Sequence, residues 1–225
     1  MMLSIIIPAW NQTEDARKLT MDNIYTSLDV ATLATEIVFI DNGSKYPTGA
    51  PGDQNFLWKM NRGIAPAWNH GIKKAKGDLL AFLTTSTTPT KGWDVALAEA
   101  ALMGNIAFPW TDEGDGFKKH REGTGIAGWC FMLSRETQKE VGLFDETFVP
   151  AWYEDTDYFH RALQVDVPLV SVPAAKVIHK PNNSSQHVFN RGLLFLSQRL
   201  RYSWKHGLDP NQSPPFWQTP LPEWS

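Results

Sequence analysis

The chain contains 225 residues, of which 42% are hydrophobic and 20% are charged, and its formal net charge is -3. These values are ordinary for a globular domain and argue against a dominant nucleic-acid or anionic-membrane surface. A single cysteine, Cys130, excludes an internal disulfide framework and a cysteine-based zinc site. No apolar run approaches the roughly 20 residues that cross a bilayer, and no leader-like segment opens the sequence, so we expect a cytoplasmic protein.

The first half of the chain alternates between predicted strands and predicted helices. Short apolar and β-branched runs indicate strands at residues 3–7, 36–40, 56–60 and 79–83. Helices are predicted after a cap at residues 11–13, and at 66–76 and 93–103. This order predicts an α/β protein with a mostly parallel sheet, whose ligands bind beyond the carboxyl ends of the strands. The loops expected to form the site are 8–11, 41–44 and 84–89.

The second half has shorter predicted elements and a distinct C-terminal extension. Strands are predicted at residues 129–133, 169–172 and 176–179, and helices at 136–141, 155–163 and 185–206. The last helix carries an apolar stripe consisting of Phe189, Leu193, Leu196, Leu200 and Trp204. The last 16 residues hold five of the 15 prolines, which predicts an extended arm. We therefore divide the chain into a domain over 1–182 and an extension over 183–225.

An acidic segment begins the predicted helix near residue 155. Glu154, Asp155 and Asp157 place three carboxylates within four residues, among aromatic side chains and just before Arg161. Because like charges repel and burial disfavours ionisation, this pattern is typical of a catalytic carboxylate at the mouth of a cleft. It is equally typical of a helix N-terminus, where acidic residues favour the helix dipole. The segment alone does not decide between these interpretations.

Eight short segments, taken in order, resemble glycosyltransferase family 2, the inverting sugar-nucleotide transferases of GT-A fold. They are SIIIPAWN at 4–11, VFIDNGS at 38–44, NRG and WNHG within 61–71, GDLLAFL at 77–83, GWC at 128–130, VGLFDE at 141–146, EDTD at 154–157 and VIH at 177–179. The resemblance implies a GT-A type sheet with flanking helices and a nucleoside diphosphate sugar as donor. It also implies an acceptor that carries a hydroxyl group.

The resemblance further implies which residues contact the nucleotide sugar. The implied residues are Pro8, Ala9, Trp10, Asn11, Asp41, Asn42, Arg62 and Asn69. To this predicted site we add Thr84, Thr85, Ser86 and Lys180. Two of them have plain structural alternatives. Asp41 could instead form a turn with its own backbone before Gly43, and Arg62 could be a solvated loop residue instead of a phosphate ligand.

The sequence departs from the family at its metal-binding motif. An Asp-x-Asp type motif normally follows the strand at 79–83, but here the residues are Thr84, Thr85 and Ser86. Because hydroxyls are poor ligands for hard dications, we expect no metal or a weakly bound Mg²⁺ or Mn²⁺. His179 is the candidate metal ligand, with a hydrogen-bonded strand-end histidine as the alternative. Without a metal, the diphosphate charge would be stabilised by Arg62, protonated His179, Lys180 or Arg191.

In the acidic segment, the resemblance implies that Asp155 is the general base and that Glu154 shapes the site. Asp157 and Arg161 are spaced to form a structural ion pair along one helix face. The resemblance also implies that the acceptor is bound by Gly128, Trp129 and Trp152. For either tryptophan, packing in the core is the alternative.

Other interpretations remain open at this point. A nucleotide-sugar-binding protein without chemistry is favoured by the missing acids at residues 84–86. Another alternative is a scaffold protein whose C-terminal tail recruits a partner. A transferase acting on hydroxymethylated bases in DNA could use basic residues for phosphate contacts, namely Lys73, Lys74, Lys76 and the run at 118–121. The stripe of the last helix is expected to pack against the catalytic domain or a second copy of the chain, as in a homo-oligomer. Peripheral membrane contact is less favoured because the chain is acidic overall.

Overall fold

A computed structural model of the protein describes residues 1–49, 51–113, 116–117, 125–180 and 187–224. The strands are β1 (Leu3–Ala9), β2 (Thr35–Asn42), β3 (Gln54–Trp58), β4 (Leu79–Leu83), β5 (Thr87–Pro89), β6 (Ile106–Asp112), β7 (Cys130–Ser134) and β8 (Leu169–His179). The helices are α1 (Glu14–Asp29), α2 (Ile64–Lys74), α3 (Trp93–Leu102), α4 (Arg135–Val141), α5 (Glu154–Gln164) and α6 (Arg191–His206). None of the helices within these residues is both long and apolar enough to cross a bilayer.

The eight strands form one mixed sheet in the order β3-β2-β1-β4-β7-β6-β8-β5. Over the described residues, the pairings β1/β2, β1/β4, β2/β3 and β6/β8 are parallel, and the other three are antiparallel. Ile5 of β1 pairs with Ile37 of β2 and with Ala81 of β4. The prediction that the three apolar runs at 3–7, 36–40 and 79–83 lie parallel in one sheet is confirmed.

Both faces of the sheet are covered, because alternate strand residues point to opposite sides. One face packs against α2 and α5 through residues such as Ile6, Phe82, Trp68 and Tyr158. The other packs against α1 and α3 through residues such as Ile5, Phe39, Ile24 and Leu97. Strands buried on both faces explain the continuous apolar runs in the sequence.

The structure corrects two predicted elements in the second half. β8 is one strand from Leu169 to His179 and not two, since its pairing with β6 shifts register between Pro109 and Trp110 and then continues. The last helix begins at Arg191, whereas its predicted start at 185 lies in residues 181–186, outside the described part of the chain.

The C-terminal extension packs differently from the prediction. α6 contacts the α/β domain through Tyr202, which lies with Phe148 and Tyr153 in a small core. The apolar stripe points away from the domain, so the prediction that it packs there is wrong. The proline-rich segment forms a 3-10 helix at Pro215–Trp217 and then returns to the sheet. Its Leu221 is buried in the main core, which an extended arm would not show.

Candidate functional site

The carboxyl ends of β1, β2 and β4 lie at one edge of the sheet, because these strands are parallel. Three loops with predicted site residues begin there, after Ala9, Asn42 and Leu83. Helix α1 ties two of these loops together. The hydroxyl of its Thr20 donates to Oδ1 of Asn11 (2.8 Å), and Nδ2 of its Asn23 donates to the carbonyl oxygen of Thr85 (2.6 Å).

Asn11 and Asp41 are joined through Ser44. The N–H of Asn11 donates to Oγ of Ser44 (2.8 Å), and the N–H of Ser44 donates to Oδ1 of Asp41 (2.8 Å). Both side chains are buried, yet Nδ2 of Asn11 and Oδ2 of Asp41 have no hydrogen-bond partner within the described residues. Buried polar atoms are normally paired, so these two are candidate ligand contacts. Asp41 thus forms the predicted turn with one oxygen and keeps the other available. Of the other residues in this loop, Pro8 and Ala9 are buried in β1 and Trp10 is half-buried.

Asn42 supports the turn that precedes α2. Its Nδ2 donates to Oδ1 of Asn61 and to the carbonyl oxygen of Gly63, each at 3.0 Å, and its Oδ1 accepts the N–H of Arg62 (2.8 Å). These bonds give the side chain a structural role, and the contact of Asn42 with the donor stays a prediction. The guanidinium of Arg62 lies 5.0 Å from the ring centre of Trp58. A cavity of about 350 Å³ is lined there by Trp58, Arg62, Pro66, His70, Lys73 and Glu146.

Asn69 also has a structural role. Its amide accepts the N–H of Phe144 (2.9 Å) and donates to the carbonyl oxygen of the same residue (2.9 Å) and to Oε1 of Glu146 (2.8 Å). The side chain is only 2% exposed. These bonds fix the loop after α4, and the contact of Asn69 with the nucleotide sugar stays a prediction.

The loop after β4 gathers hydroxyl groups where the family carries acids. Oγ1 of Thr84 lies 2.9 Å from Oγ of Ser86 and 3.2 Å from Oγ1 of Thr87. The N–H of Thr84 donates to the carbonyl oxygen of Trp129 (2.9 Å), and the N–H of Lys180 donates to that of Ser86 (2.9 Å). Backbone hydrogen bonds therefore join this loop, which we call the hydroxyl loop (residues 84–87), to Trp129 and Lys180.

His179 stacks flat on Trp129, with ring centres 4.1 Å apart and planes inclined by 7°. Its Nδ1 lies 3.1 Å from Oε1 of Glu113. Burial lowers the pKa of His179 below its ordinary value, although the hydrogen bond and charge of Glu113 act in the opposite direction. The lowered pKa disfavours the protonated form that was expected to meet a diphosphate. Glu113 was not anticipated, although its position just after β6 is a strand-end signal of the same kind as Asp41.

The described residues near this loop do not fit a tightly held Mg²⁺ or Mn²⁺. Thr84 and Ser86 offer neutral hydroxyls, and hard dications prefer several carboxylate oxygens. His179 and Glu113 supply two donors that already contact each other. Across the described residues, no group of three or more His, Cys, Asp or Glu side chains is placed to hold a metal ion.

The three acids of the segment at 154–157 have different surroundings. Asp155 is half-buried and its Oδ1 accepts the N–H of Thr156 (2.6 Å). Glu154 is buried, and its Oε2 has no hydrogen-bond partner within the described residues. Burial, and then the neighbouring charge of Asp155, raise the pKa of Glu154 well above its ordinary value. Of these two carboxyl groups, Asp155 is the one that reaches the surface, as expected for a base.

Asp157 anchors α6 to the domain. It is fully buried, and its Oδ2 accepts Nε of Arg161 (2.9 Å), which is the predicted ion pair. Its Oδ1 lies 2.7 Å from Nζ of Lys205 and 2.9 Å from Nε2 of His206. Both of these partners belong to α6. Asp157 is therefore a structural residue and takes no part in the candidate site.

The residues just before α5 have a strained backbone. Trp152 (φ 72°) and Tyr153 (φ 68°) both adopt the left-handed conformation, which costs a non-glycine residue about 1–3 kcal/mol. Packing against α6 offsets this cost. The ring of Trp152 contacts the ring of Phe195, and its centre lies 5.9 Å from Cζ of Arg191. Such strain is common at functional sites. The ring of Trp152 is engaged by α6, as its packing alternative required.

Gly128 lies at the centre of the candidate site. A β-carbon on this residue would overlap Oδ2 of Asp155, so the backbone of the loop before β7 directly contacts the carboxylate. Trp129 follows Gly128, and its carbonyl oxygen accepts the N–H of Thr84 in the hydroxyl loop. The run at 118–121, one of the two basic groups named for the DNA hypothesis, lies outside the described residues.

The mixed sheet, with its binding loops at the carboxyl edge, defines an α/β protein of the GT-A type. Two solved structures share this fold over 91% of the chain. One is GalNAc-T7 with UDP, GalNAc and Mn²⁺, with a TM-score of 0.70, 17% identity and coverage of 48% of that protein. The other is TarS from S. aureus, with a TM-score of 0.65, 14% identity and coverage of 39%.

The sequence model described as Glycosyl transferase family 2 matches residues 4–154. This match covers more than half of the chain, which therefore belongs to glycosyl transferase family 2. Glycosyltransferase AglE from Haloferax volcanii is 25% identical over 158 residues, or 63% of this chain and 51% of that protein. The chain thus spans about half the length of the curated relative it matches.

Proposed function

We propose that the protein transfers a sugar from a nucleoside diphosphate sugar to an acceptor hydroxyl, with inversion at the anomeric carbon. The observation that carries this proposal is the position of Asp155, a half-buried carboxylate in contact with Gly128 beside the hydroxyl loop. Membership of glycosyl transferase family 2 supports it. The structural relative GalNAc-T7, solved with UDP, supports a nucleotide donor.

The donor would lie along the carboxyl edge of the sheet. Asn11 and Asp41 have the unpaired Nδ2 and Oδ2 atoms that suit a nucleobase or ribose, which carry both donors and acceptors. The hydroxyls of Thr84 and Ser86 and the side chain of Lys180 would face the diphosphate. Neutral donors and a lysine can stabilise its charge without a bound cation.

The acceptor would bind between Asp155 and the ring of Trp129. As the acceptor oxygen attacks the anomeric carbon, its proton passes to Asp155. The bond between that carbon and the diphosphate oxygen breaks, and the negative charge remains on the departing nucleoside diphosphate. This role requires hydrogen-bond reach, which a half-buried carboxylate at the start of α5 has. Buried Glu154, favoured in its neutral form, would shape the site without competing for the proton.

A second candidate function is binding of a nucleotide sugar without chemistry. It is favoured by one observation, the hydroxyls of Thr84 and Ser86 where the family carries acids. Calorimetry with a panel of nucleoside diphosphate sugars identifies the donor, and product formation is then measured with hydroxyl-bearing acceptors. We expect Asp155→Asn to retain donor binding and lose product formation. Product at the unchanged rate would refute the assigned base, donor binding without product would favour the second function, and no nucleotide binding would refute both.

A further inference from the structure

Helix α6 has two opposite faces, of which one is fixed to the domain. Its buried face contains Gln198, Tyr202 and Ser203, each no more than 3% exposed. Nε2 of Gln198 donates to the carbonyl oxygen of Val149 (2.7 Å), and Tyr202 packs with Phe148. Because these contacts fix the orientation of the helix, its other face points to solvent.

The solvent-facing side is apolar and consists of Leu193, Leu196, Leu200 and Trp204, which we call the α6 stripe; Phe189, the first residue of the predicted stripe, precedes the helix. Phe189 and Trp204 are each 87% exposed, and Leu193 is 68% exposed. Removing such side chains from water is favourable, because apolar surface is then no longer hydrated. A contiguous exposed stripe of this size therefore indicates a surface that is covered by a partner.

The charges on α6 indicate what kind of partner this is. Within its sequence, RGLLFLSQRLRYSWKH, there are three arginines and one lysine and no acidic residue. Adjacent residues on a helix are about 100° apart, so Arg199 and Arg201 flank Leu200 on its two sides. Apolar residues bordered by arginines are the pattern of a helix that lies in the interface of an anionic membrane.

A second copy of the chain fits this surface less well. Two α6 stripes in contact would bring the exposed Arg201 of both copies together, with no acidic residue on either helix to pair with it. Arg199 is half-buried, and its Nη2 donates to the carbonyl oxygen of Gln212 (3.3 Å). Lys205 is already paired with Asp145 and Asp157 of its own domain. Like charges at an interface are unfavourable, whereas anionic lipid headgroups attract the arginines at close range.

We propose that the α6 stripe docks on the surface of an anionic lipid bilayer, with the helix axis in the plane of the membrane. Tyr153, which directly precedes Glu154, packs against Phe195 and Tyr202 of α6. Docking therefore holds the loop before α5 close to the lipid surface. The overall acidic charge, which argued against membrane contact, does not describe this basic helix. The proposal does not depend on sugar transfer.

The test is co-sedimentation of the full chain with phosphatidylcholine vesicles, with and without phosphatidylglycerol. We expect binding only to the anionic vesicles, and less binding at high salt. Leu200→Glu and Trp204→Glu should each abolish it, and Arg201→Ala should weaken it about fivefold. Leu102→Glu is the matched control, because Leu102 is 51% exposed on α3 and Leu200 is 48% exposed on α6.

Retained melting temperatures show that the substituted chains are folded, since the replaced side chains are exposed. The proposal is overturned if the wild-type chain does not bind anionic vesicles, or if Leu200→Glu binds as well as Leu102→Glu. It is also overturned if the wild-type chain is a dimer that Leu200→Glu dissociates, because a second copy would then cover the stripe. Vesicle binding is measured without a nucleotide sugar, so failure of the proposed transfer reaction does not affect the result.

Discussion

Gly128 lies so close to Asp155 that any side chain at position 128 would displace the carboxylate. A β-carbon there would overlap Oδ2 of Asp155 and press on its Cγ. Glycine is required at this position because the backbone approaches a side chain directly. The loop before β7 therefore sets the position of the candidate base.

We expect Gly128→Ala to lower the turnover rate about 10²-fold, because displacement of a reacting group by about 1 Å has an effect of that size. Donor affinity should change little, since the unpaired atoms of Asn11 and Asp41 lie on other loops. Turnover is measured with saturating donor, and donor affinity by calorimetry.

Gly192→Ala is the control, because a β-carbon on Gly192 of α6 contacts nothing within 4 Å. Turnover should be unchanged, and the free energy of unfolding should rise by up to about 1 kcal/mol because alanine favours a helix. Normal turnover in Gly128→Ala would contradict the close contact with Asp155.

The raised pKa of Glu154 predicts how stability depends on pH. A carboxyl group whose pKa is higher in the folded state binds more protons there, so its contribution to stability falls as pH rises above its ordinary value near 4.5. Glu154→Gln keeps the shape and stays neutral. We expect this variant to be more stable than the wild type at neutral pH and equally stable in acid, as measured by urea unfolding at a series of pH values.

The same variant separates Glu154 from Asp155 in function. Glu154→Gln should retain most activity, because the neutral form is already favoured in the buried site. Asp155→Asn should be inactive. If the two variants lost activity equally, Glu154 would have a direct role in proton transfer.

Much of the sheet is predictable from sequence, because β1, β2 and β4 are buried on both faces and must be apolar throughout. Parallel order then places the loops after Ala9, Asn42 and Leu83 at one edge. Asp41 and Asp155 were predicted from the family resemblance together with these positions. The structure adds the unpaired oxygen of Asp41 and the contact of Asp155 with Gly128.

Other features depend on long-range contacts that local patterns do not encode. The side-chain amide of Asn69 bonds to the backbone of Phe144, 75 residues away, and its motif position alone did not indicate this structural role. The apolar period of α6 was correct, but the pattern could not show that Tyr202 and Gln198, not the stripe, would face the domain. An apolar stripe predicts that another surface packs on it, but the stripe does not identify that surface.

Asp157 should be important for stability and not for chemistry. Its buried carboxylate accepts a hydrogen bond from Nε of Arg161, and it also pairs with Lys205 and His206 of α6. Removing one partner of a buried ion pair leaves the others uncompensated, so Asp157→Ala should lower the free energy of unfolding by about 3 kcal/mol. Hydrogen exchange in α6 should increase.

Glu14→Ala, which breaks the exposed pair with Arg17, is the control and should leave the melting temperature unchanged. Normal exchange in α6 would show that its apolar contacts alone hold the helix.

The hydroxyl loop predicts that donor binding depends little on divalent cations. EDTA should leave the donor affinity of the wild type nearly unchanged, because Thr84 and Ser86 cannot hold a hard dication tightly.

A metal site can be introduced in the same loop. The hydroxyl oxygens of Thr84 and Ser86 lie 2.9 Å apart, so Thr84→Asp/Ser86→Asp should place two carboxylates side by side and create a Mn²⁺ site detectable by calorimetry. Leu102→Asp/Met103→Asp adds the same charge at exposed positions of the α3 terminus and should bind no Mn²⁺. Loss of wild-type donor binding in EDTA, restored by Mn²⁺, would show that other groups of this chain hold the metal.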